Sequence, residues 1–349
     1  MKDLKYLAAL TIPISAIIAL YFQGVWSYLT PIYAFGVIPI LELILPKSNT
    51  NYSEKEQDKR KVNMLFDWLL YLNIPIVFGL LFIALFIITN SNLESYEFLG
   101  LALSVGMVLG TNGINVGHEL GHRHSTNERF LGKLLLLPAL YMHFYIEHNF
   151  GHHLHVATKE DPATAKYNQH VYSFWIASVF KQYVNAWRIQ LNLLKKDRLK
   201  FFSLKNDMLW YLLFQASFLI AIYLFFGKIG LLFCILSSIT GILLLETVNY
   251  IEHYGLKRQK TSSGRYERVK QIHSWNSNHI VGRIVLYELT RHSDHHFKSS
   301  KKYQTLECHD ESPQMPFGYP TSMVLALLPP LWFKIMNKRI PQEMITSQS

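Results

Sequence analysis

The chain has 349 residues, half of them hydrophobic, and a net charge of +10 from 34 Lys and Arg against 24 Asp and Glu. Two distant cysteines, Cys234 and Cys308, exclude a disulfide framework and a paired-cysteine metal site. The basic residues are dispersed and no nucleic-acid-binding motif is present, so the charge reads as the positive-inside bias of membrane loops plus attraction to anionic lipid.

Apolar residues come in blocks of about 20, the length that crosses a hydrocarbon core of roughly 30 Å as a helix. In chain order six spans are predicted, at about 4–22, 28–46, 65–89, 97–117, 208–226 and 229–249. The first has a basic start (Lys2, Lys5), but its apolar part is long and no clear cleavage site follows, which argues against a signal peptide. Residues 47–63 form a polar loop with Lys47, Lys55, Lys59, Arg60 and Lys61, whereas 23–27 and 90–96 carry no Lys or Arg. That asymmetry puts both termini and the segments 118–206 and 250–340 in the cytoplasm of a bacterial-type inner membrane. The run 134–146 is too short to span and reads as re-entrant or interfacial; 171–180 reads as interfacial. The run 322–336, broken by Pro329 and Pro330, should lie on the membrane surface or on the cap, and 340–349 should fray. The expected architecture is one all-α integral-membrane catalytic domain over 1–349, with about six transmembrane helices and a cytoplasmic histidine-rich di-metal cap.

The cap carries the chemistry. None of the sixteen histidines precedes residue 118. Nine fall in four clusters: His118 and His122 in HELGH; His148, His152 and His153 in EHNFGHH; His253 in NYIEHYG; His292, His295 and His296 in RHSDHH. The spacings i, i+3 and i+4 set imidazoles on one helix face. Neutral imidazole is a ligand for zinc, iron, copper or nickel. Counting residues along the fourth and sixth spans brings His118, His122 and His253 out at the same membrane face, where the loop clusters can meet them. Nine histidines suit two metals with positions left open for substrate or oxygen, the mark of a catalytic site. The isolated His124, His155, His170, His273, His279 and His309 read as surface or hydrogen-bonded residues; His143, on the apolar approach, reads as a supporting group.

HELGH is also literally the H-E-x-x-H of zinc proteases, with Glu119 as general base. An intramembrane protease would leave six or seven clustered histidines unexplained. A metal transporter would need ligands within the spans, where Glu42 and Asp67 read as the only well-placed acids, both near the cytoplasmic side, which argues against transport.

Taken together, HELGHR, EHNFGHH, NYIEHYG and LTRHSDHH, with VATKEDPATA, HSWNSNH, YQTL and PPLW, resemble the membrane alkane 1-monooxygenases of the integral-membrane di-iron hydroxylase and desaturase class. The resemblance runs over about 111–165, 246–260 and 271–333. It implies that an alkane, dioxygen, two electrons and two protons give a 1-alkanol and water at two irons held by the nine histidines, with no catalytic residue beyond the ligands. It leaves open a related hydroxylase of aromatic methyl groups or fatty acids. Glu119, Glu147, Asn249, Glu252, Asp294 and His143 then become candidates for supporting the imidazoles, with Arg291 and Asp294 paired. The chain has no dinucleotide fingerprint and no Cys-x-x-Cys pair. The family pattern therefore implies a separate rubredoxin, reduced by an NAD(P)H-dependent reductase. Such an acidic partner would be steered by a basic face that includes Lys181, Arg188, Lys195, Lys196, Lys257, Arg258, Lys298, Lys301 and Lys302.

Overall fold

The computed structural model describes residues 2–346 and is helical, with isolated β-bridges and no extended strand among the described residues. Five helices are long and apolar enough to cross a membrane: α1 (Asp3–Phe22), α2 (Gly24–Ile44), α3 (Met64–Asn90), α4 (Ser95–Gly121) and α7 (Asp207–His253). Between the last two lie α5 (Thr126–Leu136) and α6 (Val171–Lys196).

The spans 208–226 and 229–249 of the sequence reading fall within α7. As one rod its 47 residues would reach about 70 Å, far beyond a bilayer. Gly227, at φ 65 and ψ −165, breaks it. A side chain rarely adopts that conformation, so glycine is the residue that fits. The contacts show that the chain doubles back there. At the start of α7, Asp207 pairs with Lys133 at 2.6 Å. At the break, the Phe226 ring packs at a tilt beside Phe82 of α3. At the end, His253 rejoins the histidines of the cap.

Helix α4 is the central element, with most of its apolar stretch buried. It approaches the second arm of α7 closely through glycines. A Cβ on Gly106 would fall 2.4 Å from Thr240 Cβ and 2.7 Å from the Ser237 carbonyl oxygen. Small residues at such a crossing let two backbones meet without a hydrophobic driving force from water. This contact sets the lateral position of the two helices that deliver His118, His122 and His253.

The 134–146 run dips into the bundle. Its Pro138 carbonyl accepts from Ser238 Oγ at 2.9 Å, and Tyr141 donates to Glu246 at 2.9 Å, both on the second arm of α7. The run 171–180, expected at the interface, opens α6, whose outer face exposes Tyr172, Ile176 and Phe180. The 322–336 run forms two short helices, Tyr319–Ala326 and Pro329–Met336, and buries Trp332 against Tyr250 and Tyr254. The expected fraying of 340–349 does not extend over its first part. Gln342–Thr346 is helical, and Ile340 and Met344 are buried. Residues 347–349 lie outside the described residues.

Candidate metal centre

All nine clustered histidines converge, and they do so as two neighbouring groups. His118, His122, His148, His153 and His295 form one; His152, His253, His292 and His296 form the other. Within each group one ligand atom per residue lies within 4.8 Å of all the rest. The Nε2 atoms face inward: His118 to His295 at 3.0 Å, His148 to His122 at 3.1 Å and to His153 at 3.0 Å. In the second group His292 reaches His253 at 3.2 Å and His296 at 2.9 Å, and His152 reaches His296 at 3.2 Å.

The sequence clusters do not map one-to-one onto these groups. His118 and His122, at i and i+4, share a group as α-helical spacing requires. The run His148–His152, however, is a π-turn. Its i→i+5 registry brings His148 beside His153 and sends His152 to the second group. The short helix α8 (His292–Phe297) splits too: His292 and His296 enter one group and His295 the other. A second π-turn, Leu109–Ile114, lies one turn before His118. Single π-turns within helices are frequent at functional sites.

Nitrogens facing at 2.9–3.2 Å suit a shared cation. A metal–imidazole bond of about 2.1 Å puts ligands at right angles about 3.0 Å apart. Without a cation these contacts would be poor, because a neutral imidazole donates through only one nitrogen. Burial, with the neighbouring imidazoles, pushes His122, His148, His153, His292 and His296 well below the ordinary histidine range, and burial brings His295 down to about 3. Neutral rings with free lone pairs are what a metal ligand requires.

The groups proposed to support the imidazoles are placed as follows. Glu252 Oε2 lies 3.1 Å from His292 Nε2, the inward nitrogen rather than the outer one, and its Oε1 accepts from Tyr319 at 2.7 Å. Glu119 turns away to Arg123 at 3.0 Å and the Tyr303 amide at 3.1 Å, because that buried guanidinium also has to serve Asp67. Glu147 accepts from Asn185 at 3.1 Å; burial, reinforced by Asp161, pushes its carboxyl up to about 8. Asp294 holds Lys301, His309 and the Glu307 amide instead of Arg291. Arg291 is taken up by the carbonyls of Leu306 and Thr50. His143 packs between Tyr141 and Tyr183, and Asn249 lies 3.5 Å from Glu246.

Sequence reasoning missed Asp161. Its Oδ2 lies 2.9 Å from His152 Nδ1 and also accepts from Thr164 at 2.5 Å; its Oδ1 accepts from the Ala163 amide at 3.0 Å. Burial would lower His152, but the Asp161 charge and hydrogen bond raise it overall. This is the carboxylate–histidine arrangement that fixes a ligand's tautomer. The available signal was the EDPAT turn nine residues after His152.

A cavity of ≈ 90 Å³ adjoins the histidines. Its lining includes Ile12, Ala34, Ile38 and Met107 together with His118, His148, His292 and Glu252. Fold and site thus define an integral membrane protein with a buried polyhistidine centre beneath an apolar cavity.

Residues 95–321 match the family model described as fatty acid desaturase. The chain is 37% identical to alkane 1-monooxygenase 2 of Alcanivorax borkumensis over 97% of its own length and 91% of the relative's. It is 38% identical to alkane 1-monooxygenase 2 of Pseudomonas aeruginosa, over 91% of this chain and 85% of that one. The xylene/toluene monooxygenase hydroxylase component XylM of Pseudomonas putida is 30% identical over 97% of this chain and 89% of its own. The chain belongs to this desaturase-like membrane family and, within it, to the alkane 1-monooxygenases.

Proposed function

We propose that the chain hydroxylates n-alkanes at the terminal carbon, using dioxygen, two irons held by the five- and four-histidine groups, and electrons from a separate rubredoxin reduced by an NAD(P)H-dependent reductase. The observation that carries this reading is the convergence of nine imidazoles, three of which (His118, His148 and His292) line an apolar cavity. When bound, the irons supply the activation of dioxygen and the oxidant for a strong C–H bond.

The chain's own residues supply the rest. The cavity walls admit an unbranched hydrocarbon and exclude water, which favours selective chemistry at a reactive centre. A hydrocarbon chain that reaches His118, His148 and His292 in the cavity lining offers its terminal carbon to them. Asp161 fixes the direction in which His152 offers its lone pair. A cleft lined by Lys159, Lys166, Lys181 and Arg188 has Asp161 in its wall, one hydrogen bond from His152, and suits an acidic electron donor. Lys301, Lys302 and Arg258 of the expected basic face are instead held by Asp294, Asp67 and backbone carbonyls. The resemblance to XylM favours a second reading, hydroxylation of aromatic methyl groups.

The test uses iron-loaded protein in membranes with rubredoxin, reductase and NADH, offered short, medium and long n-alkanes and, separately, xylenes. Oxygen-dependent 1-alkanol is expected. Benzylic alcohol without alkanol selects the second reading. No alcohol from a protein shown to hold two irons refutes both.

A further inference from the structure

Helix α6 meets the second arm of α7 along an apolar contact with a polar stripe in it. Ser178, Gln182 and Asn185, at i, i+4 and i+7, lie on one face of α6. Opposite stands Glu246, fully buried in the apolar stretch of α7. Its Oε1 accepts from Tyr141 and from Gln182 Nε2, both at 2.9 Å, and its Oε2 lies 3.0 Å from Gln182 Nε2. Ser178 also bonds it, and Asn249 Nδ2 lies 3.5 Å away. Placing a carboxyl in a membrane arm is costly, and such residues mark ion or proton pathways more often than packing.

The stripe has two ends. Asn185 lines the basic cleft and donates to Glu147 at 3.1 Å. Asn249 lines the apolar cavity beside Glu252 and His292. Between them three buried polar atoms lack a protein partner: Glu147 Oε2, Gln182 Oε1 and His143 Nε2. Orphaned buried polar atoms in a polar seam point to ordered water. The charged or titratable groups that face Glu246 are Tyr141 from the 134–146 run, and Glu147 and His152 from the next turns; α6 presents only neutral amide and hydroxyl groups to it.

We propose that Glu246 carries protons along a hydrated seam running from the basic cleft to the cavity. This rests on the proposed reaction. There one oxygen atom is inserted into the C–H bond and the other leaves as water, which consumes two electrons from the external donor and two protons. The protons have to cross apolar protein, and the seam is a polar route that joins solvent to the reacting end.

Two measurements test it. Hydroxyl-radical footprinting of the whole protein in membranes reads bound water without turnover. Tyr141, 1% exposed, is expected to label beside the exposed Tyr172; an unlabelled Tyr141 overturns the seam. In turnover, Glu246→Gln is expected to keep its iron and its KM, lose at least about tenfold in kcat, and show a raised solvent deuterium isotope effect. Glu246→Asp should recover part of the rate. A purely structural role would be met by glutamine, whose amide oxygen still accepts from Tyr141. Wild-type kcat and isotope effect in Glu246→Gln therefore overturn the proposal. If that variant loses iron, footprinting decides. If the wild-type protein hydroxylates nothing, the reaction assignment fails while the footprinting result stands.

Discussion

Replacing Asp161 by alanine separates a positioning hydrogen bond from general packing. The Asp161 carboxylate is buried and is bonded to His152 Nδ1, Thr164 Oγ1 and the Ala163 amide. In the metal-free variant the His152 ring can turn or exchange tautomer. With Nε2 committed to a metal, its Nδ1–H must stay buried without an acceptor. That costs about 1–3 kcal/mol. At about 1.4 kcal/mol per decade, metal should bind about five- to 150-fold more weakly, in line with losses of about 10- to 100-fold for outer-shell carboxylates. Asp161→Asn keeps an oxygen that accepts from Nδ1–H and should lose less. The assay is chelator competition on metal-depleted protein with cobalt(II) as a coloured reporter. Wild-type affinity in Asp161→Ala refutes the reasoning. Equal losses in the alanine and asparagine variants show that charge, not hydrogen-bond acceptance, is what His152 needs.

Glu288 accepts from Arg283 at 2.6 Å and from Tyr6 at 2.7 Å, so Glu288→Ala strands a buried guanidinium and should cost about 3–5 kcal/mol in thermal unfolding. Burial pushes its carboxyl up, but Arg283 pulls it below the ordinary value of 4.5 overall. Its contribution is therefore complete above 4.5 and fades as pH falls through the lower folded-state value, an acid loss that Glu288→Ala should lack. Gly106→Ala forces a methyl group into Thr240 and should cost about 1–3 kcal/mol, with metal content falling alongside the unfolding midpoint; an unchanged midpoint contradicts the close crossing. Turnover with rubredoxin should fall as ionic strength rises, because Lys181 and Arg188 sit on the exposed rim of the cleft. Salt-insensitive turnover rejects that docking face.

What the sequence reveals and what it hides follow from the range of the interactions. Spans and histidine clusters are local patterns, legible because hydrophobic length and helical spacing each need only a few neighbouring residues. The π-turn at His148–His152 is not legible in this way. Nothing in HNFGH marks the i→i+5 registry, which only the fold displays. A strict α-helical reading therefore groups His148 with His152, whereas the fold pairs His148 with His153. The placement of Glu119 and Asp294 is hidden for a related reason. Adjacency in sequence suggested that Glu119 and Asp294 serve the histidines beside them, but on a helix a neighbour at i+1 points about 100° away. Those acids instead meet Arg123, one turn on from Glu119, and Lys301 and His309, further along the chain from Asp294. The acid that meets the outer nitrogen of a clustered histidine, Asp161, comes from a turn nine residues on, whereas Glu252 reaches the inward nitrogen of His292. Glu246 has a plain local signal, a lone carboxyl within LLLETVN, and unlike Glu42 and Asp67 it lies in the last predicted span. In a membrane arm an isolated acid costs stability wherever it sits. Its persistence next to Tyr141, Gln182 and Asn249 is thus better evidence of a role than its distance from any histidine is against one.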